Sequence, residues 1–471
     1  MSTPDIPYSF ERTAEAAELQ KQFASLEDGT ESETVVAIAG RMMLRRVQGK
    51  LAFGTLQDSS GRIQLFAPAK TTPEFEDFCA RALGDWLGVR GTVMKTRRGE
   101  VSVRVDEWCL LAEAKRQFPD KWHGLTDTDT RYRQRYVDLW VSEDSRKAFQ
   151  IRSQVMSLTR RWLEDRDFME VETPVFHPIP GGAAARPFIT HHNALDEDFY
   201  LRIAPELYLK RLIAGGFERV FEMASVFRNE GLSPRHNPEF TMLELYQAYA
   251  DYNDIMELVE DLVTHLATEL HGTTSLIYGD RELELGGPWR RASLCSLLSE
   301  QLDEQVSLET SRQRLVELCE IHEVPVEDTY GPGKLLLELY EKTTEATLWG
   351  PIFVTDYPKE VSPLSRDHRD QPGMTERFEA IVAGRELCNA FSELVDPVEQ
   401  RARFEDQARL IESGDAEAMA VDEDYLRAME YGLPPTGGLG IGMDRLVMLL
   451  TGVTTIRDVI LFPTLRPEAS G

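Results

Sequence analysis

Cysteine is scarce in this chain and scattered where it occurs. Five residues in 471 (Cys79, Cys109, Cys295, Cys319 and Cys388) form no CxxC pair, and their odd number and wide spacing exclude both a disulfide framework and a zinc knuckle. They read as reduced, mostly buried thiols. Long apolar runs are missing as well: no stretch of about 18 apolar residues occurs. The first residues, MSTPDIPYSF, lack a charged start followed by an apolar core. Neither a membrane span nor a secretory leader is expected, and the chain reads as soluble and cytoplasmic. Positive charge is in deficit, with 52 Lys and Arg against 80 Asp and Glu and a net charge of −28. Such a balance speaks against nucleic acid, whose phosphates repel an acidic surface. Local basic clusters keep the question open: Arg41, Arg45, Arg46 and Lys50; Lys95, Arg97 and Arg98; Arg131, Arg133 and Arg135. Taken singly, each is a solvated face. Internal repeats and low-complexity tracts are absent too.

What is present suffices for more than one folded unit. At 471 residues and 42% hydrophobic content, two or three domains with real cores are expected. Residues 1–112 read as an amino-terminal segment followed by short strands with one helix among them. Apolar runs at Val35–Met43 and Leu51–Leu56, the turn Ser59-Ser60-Gly61, and Ile63 with Leu65 precede an amphipathic stretch from Pro73 to Leu83. Strands at Trp86–Lys95 and Val101–Leu111 flank the turn Arg97-Arg98-Gly99. Five strands and one helix suggest an OB barrel, a frequent oligonucleotide binder. Alternation turns Ala52, Gly54, Leu56, Ile63 and Leu65 one way and Phe53, Arg62, Gln64 and Phe66 the other. Exposed rings beside amides and arginines can stack on single-stranded bases; equally, Phe53 can plug the rim. Residues 113–142 read as a linker, turn-rich around Phe118-Pro119-Asp120, and a second domain opens at Glu143 with a helical pattern. Residues from about 253 to 345 read as a mainly helical insertion with acidic faces.

Three segments of the second domain carry polar residues where strands should bury apolar ones. In FRNEGLSPRHNPEFTMLELY (Phe227–Tyr246), the strand period puts Val226, Arg228 and Glu230 on one face and Phe240, Met242, Glu244 and Tyr246 on a returning face. A solvated hairpin explains the arginine but not the interleaved rings. In EAIVAGRELCNAFSE (Glu379–Glu393), Asn389, Phe391 and Glu393 share a face, with further carboxylates at Glu379 and Glu386. Carboxylates beside a phosphate-binding arginine suggest magnesium, which takes oxygen ligands and bridges to substrate phosphates. Strict alternation sends Glu386 to the wrong side, so a bulge or strand start must intervene. Finally, GGLGIGMDR (Gly437–Arg445) allows close backbone approach and leads into a helix whose amino end favours anions, with Arg445 in its first turn. It lacks the ending of a P-loop.

Together these segments resemble the class II lysyl-tRNA synthetases of bacterial type, over nearly the whole chain. Phe168–Pro174 is similar to motif 1, Phe227–Phe240 to motif 2 and Gly438–Arg445 to motif 3. The lysine branch is indicated by RYRQRYVDL (Arg131–Leu139), IPGGAAARPFITHH (Ile179–His192), RIAPELYLK (Arg202–Lys210) and Arg385–Glu393. The resemblance implies an α+β chain: a five-stranded OB-fold β-barrel for anticodon binding, then at 143–471 a class II catalytic domain built on an antiparallel sheet flanked by helices. Within it, motif 1 is expected at 167–175, motif 2 at 220–246 and motif 3 at 437–450.

The activity implied is ATP-dependent ligation of L-lysine to tRNA(Lys) through a lysyl-adenylate, releasing AMP and diphosphate. Arg228 and Arg445 would be catalytic, with Glu230, His236, Phe240 and Glu386 helping to bind ATP. Gly182, Glu206, Glu244, Tyr246, Asn389, Phe391 and Glu393 would bind lysine, and Glu379 and Glu386 would hold Mg2+. Arg41, Phe53, Gln64 and Glu107 match anticodon-contact positions. A homodimer through motif 1 is implied. The alternative is a paralogue that lysylates a protein such as elongation factor P. Two departures stand out: Asp167 replaces the usual motif 1 glycine, which Asp tolerates through its access to left-handed backbone, and the first amino-terminal helix of many members is expected to be missing, weakening nonspecific grip on tRNA.

Overall fold

The computed structural model describes residues 6–116, 125–412 and 418–468, and the chain divides into two compact units, Met1–Ser142 and Glu143–Gly471. No helix among the described residues is long and apolar enough to cross a membrane.

The first unit is built on six strands: β1 (Glu31–Gln48), β2 (Leu51–Gln57), β3 (Arg62–Pro68), β4 (Trp86–Lys95), β5 (Val101–Arg104) and β6 (Glu107–Ala112). The long β1 pairs with β4 along its first part and with β2 along its second, with a register shift at Met42/Leu44 where it changes partner. The ladders therefore run β1-β2-β3-β5-β4 and return to β1. The expected alternation holds: Ala52, Leu56, Ile63 and Leu65 are buried with Ile38, Val89 and Val103, while Phe53 and Phe66 are only partly covered. Val101–Leu111, expected as one strand, is two. The amide of Val105 donates to Phe66 and the next amide, of Asp106, to Arg90, so the chain switches neighbours at that point. A helix at Ala16–Gln22, unforeseen in the sequence, packs Ala16 and Leu19 into the same core.

The linker is not structureless. Phe118-Pro119-Asp120 lies outside the described residues, but helices Thr128–Arg133 and Arg135–Val141 follow. Their arginines are committed locally: Arg131 and Arg135 both pair with Asp138, at 3.1 and 2.7 Å, and Arg133 with Asp129 at 2.6 Å. Arg135 is fully buried. This basic cluster is structural.

The second unit adds, in chain order, β7 (Met169–Glu170), β8 (Phe176–His177), β9 (Ile189–His192), β10 (Glu197–Leu201), β11 (Arg219–Phe227), β12 (Glu239–Ala248), β13 (Ser275–Tyr278), β14 (Arg281–Glu284), β15 (Arg290–Ser293), β16 (Ile352–Pro358), β17 (Met374–Val382), β18 (Arg385–Ser392) and β19 (Thr436–Gly442). Eight form one sheet in the order β15-β16-β17-β18-β19-β12-β11-β7, antiparallel except at its two ends. Alternation assigns its faces. Leu243, Leu245, Cys388, Ala390, Leu439 and Ile441 enter the main core under helices Glu143–Glu164, Tyr252–His271 and Met443–Thr451. The residues between them, Glu244, Tyr246, Asn389, Gly438 and Gly440, line a cavity on the other face. Truncating a side chain such as Leu243 to alanine would cost about 2–5 kcal/mol, because a close-packed core leaves the void unfilled.

The stretch 253–345 departs from the expected insertion. Its first helix, Tyr252–His271, buries Ile255, Val259, Leu262 and Leu266 in the main core. Gly279, at a φ of 65°, turns β13 into β14, and β15 joins the main sheet parallel to β16. Only helices Leu294–Leu302, Arg312–Ile321 and Pro332–Thr343 share a core of their own, against one end of the sheet. At motif 1, Asp167 adopts a φ of 62°, the left-handed backbone expected of it.

Candidate active site

The cavity, of about 310 Å³, gathers most of the residues singled out in the sequence: Gly182, Glu206, Arg228, Glu230, His236, Phe240, Glu244, Tyr246, Glu379, Glu386, Asn389, Phe391 and Arg445 all line it. Its size suits a small-molecule ligand. Glu393 is not among the lining residues. It is fully buried behind the bare backbone of Gly438, where an added Cβ would lie 1.9 Å from Glu393 Oε1 and 2.6 Å from the Tyr246 ring. The glycine thus makes room for protein side chains, whereas the sequence reading gave it to a ligand alone. Gly438 lines the cavity as well, together with Gly440 and Gly442.

At one end, buried carboxylates crowd together. Glu206 opens the helix Glu206–Ala214 and packs against Gly182, whose φ of 89° and missing Cβ allow the approach. Glu244 accepts a hydrogen bond from the Tyr246 hydroxyl at 3.3 Å. Burial pushes Glu206, Glu244 and Glu393 all above the usual carboxylate range. Lys210, which the sequence reading gave no role, is fully buried among them: its ammonium donates to Glu206 at 2.6 Å and contacts Glu393. The two carboxylates hold that ammonium above its ordinary pKa against the penalty of burial. Spacing of four residues from Glu206 on a helix was the available signal.

At the other end, Arg377 and Arg445 face Glu379 and Glu386. Register explains how Glu386 reaches the site: Ala380 pairs with Cys388 but Ile381 pairs with Glu386, so Leu387 is the extra residue of a bulge. The required irregularity is present, and it brings Glu386 to the face of Glu379 and Asn389. Arg445, in the first turn of helix Met443–Thr451, donates from Nη1 to the Glu386 backbone oxygen at 2.7 Å and to its carboxylate at 3.0 Å. Burial opposes that charge, but Arg445 holds Glu386 below the usual carboxylate range. Glu379 is pushed up to about 7 by burial, with Arg377 pulling down and Glu386 pushing up. Arg377, also missed in the sequence, donates to Glu379 at 2.6 Å and to Asn389 Oδ1 at 2.9 Å.

Arg228 stands between the two ends. It follows β11, and its amide donates to Pro238 across the hairpin at 2.8 Å. Its guanidinium is buried 5.2 Å from the Phe240 ring centroid, Nε has no hydrogen-bond partner, and Nη2 meets only the Met242 sulfur at 3.9 Å. No carboxylate of the described residues lies within ion-pair distance of it. A buried guanidinium so poorly supplied with acceptors fits an anionic ligand. Nearby, Asp444 anchors the helix to the hairpin, accepting from the Thr241 amide at 2.7 Å and from Arg152 at 2.5 Å. His236, held by Ser233 at 3.1 Å, is driven towards its neutral form by partial burial and Arg445.

In the first unit, Phe53 and Phe66 form an edge-to-face pair at 5.6 Å, and Gln64 accepts from Ser102 at 3.1 Å. Arg41 lies between Trp86 and Trp140, 4.9 and 5.1 Å from their rings, and donates to Gly84 at 2.8 Å. It is largely committed within the unit. Glu107 is exposed at the start of β6.

Residues 127–466 match the family model of class II tRNA synthetases (D, K and N), and residues 36–111 match that of the OB-fold nucleic acid binding domain. The chain belongs to the class II tRNA synthetases. It is 52% identical over 471 residues to a protein of Synechococcus sp. (strain RCC307) named lysine--tRNA ligase, covering 98% of this chain and 93% of that one. It is 51% identical over 481 residues to a protein of the same name from Nostoc punctiforme (strain ATCC 29133 / PCC 73102), covering 100% and 86%. Membership gives the cavity a frame: two of the class II signatures meet there, motif 2 as the β11–β12 hairpin and motif 3 as β19 with its helix, while motif 1 forms β7 at the edge of the same sheet.

Proposed function

We propose that this chain ligates L-lysine to tRNA(Lys) in two steps, first activating lysine with ATP. The observation that carries the reading is the cavity's polarity: buried carboxylates at one end, arginines at the other, and the acceptor-poor Arg228 between them. Lysine's ammonium groups suit Glu206, Glu244 and Glu393, with Gly182, Tyr246, Asn389 and Phe391 shaping the pocket. Its carboxylate then meets the α-phosphate of ATP at Arg228. The carboxylate oxygen attacks phosphorus, diphosphate leaves, and charge building on the α-phosphate is stabilised by Arg228. Phe240 and Arg445 offer faces for adenine, while Glu230 and His236 line the mouth. The terminal ribose hydroxyl of tRNA then attacks the lysyl carbonyl and AMP departs. Such chemistry rests on alignment and electrostatics, with no protein nucleophile.

Glu379 and Glu386 fit Mg2+: both are oxygen donors on one sheet face, and Glu379, pushed up to about 7, would be eased into its anionic form by a cation. Among the described residues no cluster of three or more His, Cys, Asp or Glu side chains could hold a metal by itself, which suits an ion completed by substrate phosphates. The ion would neutralise and orient the β- and γ-phosphates. We also read the first unit as the anticodon binder and the protein as a cytoplasmic homodimer. Supporting the dimer, β7 ends the main sheet with one side unpaired among the described residues and exposes Met169, and Phe176 and Ile189 of the small three-stranded sheet are exposed as well. A fully active monomer would contradict it.

Glu393→Gln should cripple lysine-dependent pyrophosphate exchange, and near-normal lysine affinity in that variant would sink the pocket assignment. Charging of tRNA(Lys) and of elongation factor P side by side separates the ligase from a protein-modifying paralogue. The OB-fold unit favours tRNA.

A further inference from the structure

The amino-acid end of the cavity contains more negative charge than its one internal cation can match. Glu206, Glu244 and Glu393 are each at least nine-tenths buried. Lys210, with no exposed surface, is the only lysine or arginine in ion-pair contact with any of them among the described residues. The Arg377 guanidinium is spent on Glu379 and Asn389, and Arg445 on Glu386. Once all three are ionised, three carboxylates against one ammonium leave two negative charges for a ligand to compensate. Neither oxygen of Glu393 has a well-formed hydrogen bond, despite its contact with Lys210, so its accepting capacity is largely unused. The Lys210 ammonium also lies 5.2 Å from the Phe391 ring centroid and 5.9 Å from that of Tyr246.

We propose that Lys210 is a positioning and specificity residue of the amino-acid pocket: by bridging Glu206 and Glu393 it cancels one of three buried charges and anchors Glu393 behind Gly438, leaving the two negative charges that a diamino acid complements. This rests on the lysine reading given above. Without Lys210, Glu206 and Glu393 would confront each other in a buried site, and one would take up a proton or turn away. The pocket would then lose the defined acceptor for the side-chain ammonium. An acidic or neutral amino acid leaves at least one of the two charges buried and unpaired, which is how the same device rejects it.

The test is lysine-dependent pyrophosphate exchange by wild type, Lys210→Met, Glu206→Gln and the double variant Glu206→Gln/Lys210→Met, with thermal melts of each. Exchange driven by lysine in the wild type establishes the underlying reading independently of the variants. Lys210→Met should raise the lysine KM by about 10–100-fold through loss of charged hydrogen bonding, with the ATP KM within about twofold of wild type, the split expected of a pocket effect. The double variant removes one charge of each sign and so restores the pocket's balance. Its lysine KM should fall at least about fivefold below that of either single variant, as expected for coupled neighbours. A Lys210→Met enzyme with a wild-type lysine KM overturns the proposal, as does equal damage to the lysine and ATP KM values. If the single variant does not fold, the double variant decides alone: recovered lysine binding supports the proposal, and failure to fold or to recover binding refutes it.

Discussion

Arg377 and Asn389 join the two ends of the cavity: the guanidinium donates to the Asn389 side-chain oxygen at 2.9 Å while its other arm holds Glu379 at 2.6 Å. A third arm reaches the Val361 carbonyl at 2.9 Å, fixing the group to the adjoining loop. Replacing Arg377 by alanine should therefore disturb both substrates. We expect kcat/KM for lysine in pyrophosphate exchange to fall about 10–100-fold, the scale of losing charged hydrogen bonds of about 1.5–3 kcal/mol, with a parallel rise in the Mg2+ needed. Lysine at this position restores little, since a point charge cannot serve three directions at once. An effect confined to one substrate would remove Arg377 from this bridging role.

Glu379 gives a pH signature. Its folded pKa, pushed up to about 7, lies above the ordinary carboxylate value, so burial alone destabilises the anion as pH rises through that range. A divalent cation binds only the anion. Apparent Mg2+ affinity in the presence of ATP should therefore weaken as pH falls from about 8 to 6, as protons compete for the site. Titration calorimetry with Mg·ATP at several pH values measures it. Glu379→Gln should bind Mg2+ more weakly at pH 8 and lose most of the pH dependence between those limits; an unchanged slope would locate the titration elsewhere.

How far the site could be read from sequence depended on whether its chemistry obeyed strand alternation. Glu244, Tyr246, Asn389 and Phe391 follow period 2, and β12 and β18 present them to the cavity as expected. Glu386 breaks the period, and the demand for a bulge was met at Leu387. Lys210 and Arg377 escaped notice because a lone cation in a chain of 52 Lys and Arg carries no signal until its partners are located in space. The helix Tyr252–His271 was assigned to an insertion because periodicity identifies a helix without saying which core receives its apolar face. The break at Val105-Asp106 was equally hidden, since which neighbour an amide bonds to is a tertiary fact.

Gly438→Ala tests the hidden layer behind the cavity. A Cβ there would lie 1.9 Å from Glu393 Oε1 and 2.6 Å from the Tyr246 ring, closer than side chains approach without movement. Gly438 is held on both sides, by Tyr246 of β12 and Phe391 of β18, so the strand cannot easily retreat. Glu393 must shift instead. The lysine KM should rise by about tenfold or more, in keeping with the sensitivity of aligned sites to displacements near 1 Å, while the ATP KM changes little. Alanine tolerated without loss of lysine affinity would mean that Glu393 is not fixed by this contact.

Replacing Phe53 would test tRNA binding apart from the chemistry of activation. Its ring packs edge-to-face on Phe66 at 5.6 Å and is only partly covered, on the face of β2 opposite the buried Ala52 and Leu56. A ring that merely plugged the rim would contribute stability alone, whereas a stacking platform would contribute affinity for single-stranded bases. Phe53→Ala should weaken tRNA(Lys) binding by about 1–3 kcal/mol, the usual worth of one stacked base, and raise the tRNA KM for charging about 5–150-fold. Lysine-dependent pyrophosphate exchange, which needs no tRNA, should be unchanged. Phe53→Tyr keeps the π-face and should keep the affinity. A thermal shift with unaltered tRNA binding would assign the ring to packing, and loss of exchange together with charging would show that damage had spread beyond the first unit.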